Sequence, residues 1–416
     1  MLTGIAAGAG AIAMVGVLRG VQHLAFSYHS GLYSTAVAHR GDLRRVVVLA
    51  VGGLVTGVGL WTIRRVFGGL GGEPTRVVWS GRGRLSPWVS ALSGALSEVS
   101  IGLGGSLGRE NAPQQFGAAF GSWISERCRL PEQQRMLLIA CGAGAGVGAV
   151  YNVPFAGALF AAELYLGSVT LRTVVPALVT AAIATAVGWI VLPIHPVYHV
   201  PRLAYPSGAL LVFAVLAGPL IGVLAAGWVK LVGWANDRRP HGRTLLFEPL
   251  IAFTALGVLS IEYPLLLGNG RDLAQFAFNG AGTIGMLAAL ALLKPVVTSL
   301  CVRSGAIGGL FTPTWSTGAA TGAFLGRVWT LLWPGTQIAS YAMVGSAAML
   351  AAAMRTPVAA IAFSIELTNS VNPAILAMIL ALGGAMLTAR RLERRSIYTA
   401  RLPRVEPPGL EGEAAR

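Results

Sequence analysis

"YNVPFAGALFAAELYLGS", residues 151–168, and "MRTPVAAIAFSIELTNS", residues 354–370, carry one pattern twice. Pro154 matches Pro357, Ala156 matches Ala359, Phe160 matches Phe363 and Glu163 matches Glu366, all at an offset of 203 and without a gap from proline to glutamate. Upstream, "LGRENAPQQFGAAFGSWI" from residue 107 and "GGLFTPTWSTGAATGAFLG" from residue 308 share a glycine, a proline and a run of small residues, with Pro113 and Pro313 offset by 200. Self-similarity at nearly the same spacing means two related structural halves. The reading divides the chain into a first repeat, 1–195, a second, 196–400, and a short disordered cytoplasmic tail, 401–416.

What surrounds the repeat is greasy. The 416 residues are 54% hydrophobic and 11% charged, with a mean hydropathy of +0.67, whereas soluble domains carry about 25% charged residues. Apolar segments recur at 1–19, 46–63, 133–162, 172–194, 207–229, 249–261, 284–300, 336–354 and 356–386. The fold class is therefore an all-α polytopic membrane protein, because a helix satisfies its own main chain in lipid. The first segment lacks a basic stretch ahead of its apolar core and a cleavage site followed by a soluble domain, so it reads as a retained helix. The net charge of +15 gathers at Arg40–Arg45, Arg64–Arg84, Arg238–Arg243 and Arg390–Arg404. The positive-inside bias accounts for it without a nucleic-acid partner and puts the C-terminus in the cytoplasm. Cys128, Cys141, Cys301 and six scattered histidines show no metal-ligand spacing and no paired framework, and no cofactor is implied.

Glycine, 55 residues, breaks the apolar runs at "GGLGGEP" (68–74), "LGNGRD" (267–272) and "SGAIGGLFTP" (304–313). Helices that stop or re-enter inside a membrane mark ion and substrate sites. If the two halves are inverted, their broken helices point N-termini at one shared site near the midplane. Such termini present unpaired N–H groups and partial positive charge, which suits an anion. Partial charges also release it, where a Lys or Arg in direct contact would hold it. Glu110, in the glycine-rich stretch "GGSLGRENAPQQFG" (104–117), competes with that anion for the same donors and leaves when it takes up a proton.

The run LGREN followed by QxxG, the run GGLFTP, the segment YNVPFAGALFAAE and the late "RSIYTARL" together resemble the CLC family of chloride channels and chloride/proton antiporters, of bacterial type and without appended regulatory domains. The resemblance covers nearly the whole chain. It implies two inverted repeats with broken or re-entrant helices, a multi-pass protein of a bacterial plasma membrane, and a homodimer with one pore per subunit. By the same resemblance Glu110 matches the gating glutamate, with Gly108 and Arg109 before it and Asn111 after it at the anion site. Gly309, Phe311 and Pro313 match a GxFxP motif in which the N–H groups of Leu310 and Phe311 face the central anion. Tyr398 matches a tyrosine whose hydroxyl donates to it. The implied partners are chloride or another small anion and membrane lipid.

Three departures bear on activity. Asn111-Ala112 replaces a Gly-Pro pair after Glu110, which re-aims the amides of the outer site. The loop 68–74 has no serine where the family places a hydroxyl on the central anion, so chloride is the first expectation and fluoride or another small anion the alternative. Leu164 stands where proton-coupled members place a second glutamate, which favours a passive channel first and an antiporter with another internal proton route second.

Other readings of the residues are weaker. Adjacent helical residues point about 100° apart, so Arg109 and Glu110 make an awkward ion pair, and Arg109 reads as a loop-holding residue with several hydrogen bonds. Glu163 and Glu366, repeated in both halves, read as helix-end caps. Tyr398 could be an interfacial aromatic, and Glu98, Glu248 and Glu262 are expected to cap or face water. A secondary transporter of an organic substrate would show more carboxylates toward the midplane, and an intramembrane enzyme would need a nucleophile with a base, or a metal cluster. Eighteen residues after Tyr398 leave no expected cytosolic module.

Overall fold

The structure, a computed structural model, describes residues 1–201, 207–369 and 374–402. The helices of the first half are α1 (Leu2–Phe26), α2 (Tyr33–Ala38), α3 (Asp42–Phe67), α4 (Pro74–Ser80), α5 (Pro87–Gly102), α6 (Asn111–Arg127), α7 (Glu132–Tyr151), α8 (Pro154–Phe160) and α9 (Leu171–Gly188). Those of the second are α10 (Gly208–Asp237), α11 (Glu248–Glu262), α12 (Arg271–Phe278), α13 (Ile284–Arg303), α14 (Phe311–Thr330), α15 (Ile338–Met354), α16 (Pro357–Glu366) and α17 (Ile375–Leu392). Among the described residues seven are long and apolar enough to cross a membrane: α1, α3, α9, α10, α11 with the turn before it, α13 and α17. The glycine-rich breaks fall where the sequence puts them, between α3 and α4, before α12 and before α14.

The long apolar segment 133–162 is two helices, and the break within it is repeated between the segments 336–354 and 356–386. Asn152 (φ 57°) ends α7 and Arg355 (φ 65°) ends α15 in the left-handed region. A proline follows two residues later in each case and opens the next helix, where its missing N–H is not needed. The offset of 203 is thus an offset of backbone geometry as well as of side chains. Composition hides α5, α6 and α14, whose faces of Gly, Ala, Ser and Thr lower their hydropathy. Those small residues bring α6 against α7 and α14 against α15. A Cβ on Gly117 or Gly142 would strike the other's carbonyl, and Gly318 and Gly345 repeat that arrangement in the second half. Close backbone approach through small residues is how helices pack without a hydrophobic driving force in lipid.

The two halves interlock through carboxylates. Glu163 accepts from the N–H groups of Val358 (3.0 Å) and Ala359 (2.7 Å) at the start of α16. Glu366 accepts from those of Phe155 (3.2 Å) and Ala156 (2.6 Å) at the start of α8. Both are the helix caps expected of them, each given to the opposite half. Glu248 pairs with Arg303 at 3.1 Å and Glu262 is exposed, while Glu98 departs from expectation: it is 1% exposed on α5 and its Oε2 has no partner. The segment 401–416 begins as structure, since Arg401 closes the turn Thr399–Arg401 and its carbonyl accepts from Asn236 Nδ2 at 3.0 Å; residues 403–416 lie outside the described residues.

Removing either crossed cap leaves two helix-start N–H groups unpaired. Glu163→Ala and Glu366→Ala should each destabilise the purified protein by about 1–2 kcal/mol, read as a lowered thermal midpoint in detergent. An unshifted midpoint in both variants would show the caps to be ornamental.

Candidate anion site

The glycine-rich loops of the two halves meet as a single antiparallel bridge, the one β pairing among the described residues. Gly108 N–H donates to the Gly309 carbonyl at 2.8 Å, and Gly309 N–H returns the bond to Gly108 at 2.7 Å. Behind the bridge lies Lys294, fully buried on α13. Its Nζ donates to Ser106 Oγ (2.8 Å) and to the carbonyls of Leu266 (3.0 Å) and Gly268 (3.0 Å), so all three of its donors are used in fastening two loops. Burying an ammonium demands such satisfaction.

Glu110 follows the bridge at the N-terminus of α6 and is fully buried. Its side chain does not cap its own helix. Instead it crosses to the other half, where Oε1 accepts from Phe311 N–H at 2.8 Å, in the first turn of α14. Oε2 accepts from Tyr151 Oη–H at 2.9 Å and from Thr312 Oγ1–H at 3.1 Å, two hydroxyls themselves 2.5 Å apart. The carboxylate is thus held by a helix N-terminus and two hydroxyls, with no cation among its hydrogen-bond partners. Gly108 and Gly309 make room for it, since a Cβ at either position would run into the carboxyl group.

Of the residues singled out by sequence, Gly108, Arg109, Glu110, Gly309, Leu310 and Phe311 lie at this one locus. Asn111 opens α6 half-buried, and its side chain makes no hydrogen bond among the described residues. Tyr398 stands one aromatic layer away. Its ring lies 6.0 Å from Phe160, which lies 6.5 Å from Phe311 and 5.9 Å from Phe363, and its hydroxyl is buried without a hydrogen-bond partner. Arg109 corrects the expectation of several hydrogen bonds. Its guanidinium covers the Tyr151 ring at 5.0 Å, and its buried Nε has no partner. Charge over a ring face substitutes for hydrogen bonds here. Tyr151 and Thr312, both carboxylate donors, were missed. The sequence held one signal for the first: its repeat counterpart is Met354, so a hydroxyl appears in one half only.

One cavity opens onto this locus, and a second lies farther off. The first, about 690 Å³, is lined by Arg19, Arg109, Tyr151, His195, His199 and Arg271 among others. The second, about 740 Å³, is lined by Arg64 at the end of α3 and by residues of the loop before α4. The two lie on opposite faces. The start of α3 touches the end of α1 through Arg44 and the Ala25 carbonyl, at 3.0 Å, and 26 residues of helix then separate it from the second cavity by about 39 Å.

The profile of the voltage gated chloride channel family matches residues 72–390. A ClcB-like protein of Ralstonia nicotianae is 33% identical over 441 aligned positions, covering 98% of this chain and 99% of its own. The H(+)/Cl(-) exchange transporter ClcA of Vibrio cholerae is 32% identical over 316, covering 73% and 67%. A solved structure, that of a slow cyanobacterial Cl-/H+ antiporter, shares the fold with a TM-score of 0.81 at 22% identity, over 96% of this chain and 95% of that one.

Because Gly309 leaves no space to spare, Gly309→Ala should expel the Glu110 side chain from its niche. A structure of that variant with the carboxylate still bonded to Phe311 N–H would contradict this account of the bridge.

Proposed function

The chain belongs to the voltage gated chloride channel family, and on that premise we propose that it carries chloride across a membrane along the line joining its two cavities, with Glu110 as the gate. The observation that carries the reading is the contact of Glu110 with Phe311 N–H at 2.8 Å. A carboxylate in that position takes the donors a chloride ion would use. The helix N-terminus and the hydroxyls of Tyr151 and Thr312 attract either negative group by partial charge, so each can displace the other. Protonating the carboxyl removes its charge and turns one oxygen into a donor, after which the anion is the better ligand for these groups. Gly108, Arg109, Asn111, Leu310 and Tyr398 are proposed to complete the anion path. Arg109, with Arg19 and Arg271 in the first cavity, raises the local anion concentration without closing on the ion.

The same reading makes 1–195 and 196–400 the inverted repeats and the molecule a homodimer with one pore in each subunit, seated in a bacterial plasma membrane. The arginines that line the second cavity, Arg64, Arg76, Arg82, Arg84, Arg239 and Arg401, support a cytoplasmic C-terminus, whereas Arg40–Arg45 stands at the other end of α3. The fluoride reading rests on the loop 68–74, which has no side-chain hydroxyl.

Glu110→Gln cannot ionise. In liposomes its chloride flux should exceed wild type several-fold near neutral pH and lose the rise on acidification that wild type shows, since protonation opens the gate and flux grows as pH falls. Running the assay with chloride, fluoride and nitrate separates the anion readings. A variant with wild-type flux and pH response would remove Glu110 from the gate.

A further inference from the structure

Leu164 is 3% exposed in the π-turn Ala161–Tyr165, and its carbonyl and that of Tyr165 accept from the Trp79 indole N–H at 3.3 and 3.1 Å. Such a position gives a proton nothing to rest on. A carboxylate is nonetheless present on this side of the molecule, from another element. Glu73 ends the loop before α4, and that loop is fixed from within by Gln115, whose amide donates to the Leu70 and Gly72 carbonyls at 2.9 and 3.1 Å.

Glu73 faces the second cavity. Around it stand Arg64 from α3, Arg76 from α4, Arg82 and Arg84 from the loop after α4, Asp237, Arg239 and His241 from the end of α10 and beyond, and Arg401 from the last turn. A counter-charge for these arginines would be clamped by one of them. The Glu73 carboxylate instead makes no hydrogen bond and belongs to none of the four ion pairs among the described residues. It is half-buried, unclamped, and bathed by the cavity.

From Glu73 a polar file runs inward to Glu110. Two residues along, Thr75 faces the Tyr165 hydroxyl, and Glu73 itself lies near enough to both Tyr165 and Tyr398 to act on them electrostatically. Tyr165 Oη accepts from Gln114 Nε2 at 2.5 Å. Gln114 lies four residues after Glu110, one turn further on the same face of α6. The buried, partnerless Tyr398 hydroxyl stands beside that amide.

We infer that Glu73 is the proton port on the second-cavity side: it takes a proton from cavity water and passes it, through water held along Thr75, Tyr165, Gln114 and Tyr398, to the Glu110 carboxylate. The balance is one proton, bound to the Glu73 carboxylate, released to water and rebound by Glu110 as the anion takes the vacated donors. The inference rests on the reading of Glu110 as gate and selects the second of the two expectations raised by Leu164, exchange by another internal route.

The test is full-length protein in liposomes under a chloride gradient, with chloride efflux and external pH recorded together for wild type, Glu73→Gln, Glu73→Asp and Glu110→Gln. Wild type should move protons against chloride. Glu73→Gln should lower the protons moved per chloride by roughly tenfold or more, and Glu73→Asp should restore most of that ratio, as a positioned acid requires. A wild type that moves chloride and no protons overturns the inference, and so does a Glu73→Gln ratio equal to wild type. A parallel loss of chloride and proton movement in both Glu73 variants overturns it too, by showing a structural role. Failure of the gate is distinguishable, because it is read from Glu110→Gln chloride flux alone.

Discussion

A helix that begins inside a membrane leaves its first N–H groups without partners, and lipid supplies none. Three helices of this chain, α8, α16 and α14, have their first N–H groups met by a carboxylate from the opposite half. Glu366 closes α8, Glu163 closes α16 and Glu110 reaches α14. The first two closures are exchanged symmetrically, one from each repeat, and lock the halves together. The third has no mate. At the offset of 200 that relates Pro113 to Pro313, the counterpart of Glu110 is Leu310. Duplication supplied the architecture, and the departure from duplication supplied a carboxylate that no symmetry holds in place.

The same asymmetry explains the surroundings of Glu110. Tyr151 faces it from the end of α7, while the equivalent place at the end of α15 holds Met354. One half therefore gives the acid and the Tyr151 hydroxyl, and the other gives the helix N-terminus and the Thr312 hydroxyl. The proposed gate sits at the seam because neither half alone contains both. The bridge between Gly108 and Gly309 sets the two at a fixed separation, and the small-residue packing of α6 on α7 and α14 on α15 keeps the helix starts from drifting.

Much of this was legible in the sequence because it is periodic or glycine-marked. The repeated proline and glutamate gave the helix caps, though not their crossing to the opposite half, and the three glycine-rich breaks gave the helix ends. What stayed hidden has physical reasons. The helices α5, α6 and α14 are built of small and hydroxyl-bearing residues that a hydropathy reading discounts, although buried glycine and serine are what close packing in lipid needs. Tyr151 and Thr312 stand inside the runs YNVPFAGALFAAE and GGLFTP, but nothing local to either run aims its hydroxyl, and their partner is 41 and 202 residues away. Arg109 invited hydrogen bonds by its chemistry and found an aromatic face. Glu98 was expected at an end or in water and lies buried in α5, which no local pattern announces.

The distribution of full and partial charge follows one rule. Full positive charges are plentiful, yet none donates to the Glu110 carboxylate. Arg109 is turned onto a ring, and Lys294 spends its three donors on Ser106, Leu266 and Gly268, behind the loop that ends in the bridge. The lysine thus shapes the loop whose main chain faces the seam and is itself kept out of contact. A guanidinium or ammonium at the seam would bind carboxylate or chloride strongly enough to prevent the proposed exchange between them, since charge-assisted bonds are roughly twice as strong as neutral ones. On the proposed reading, dipolar donors leave the contest between acid and anion close, and a single proton on the acid is enough to decide it.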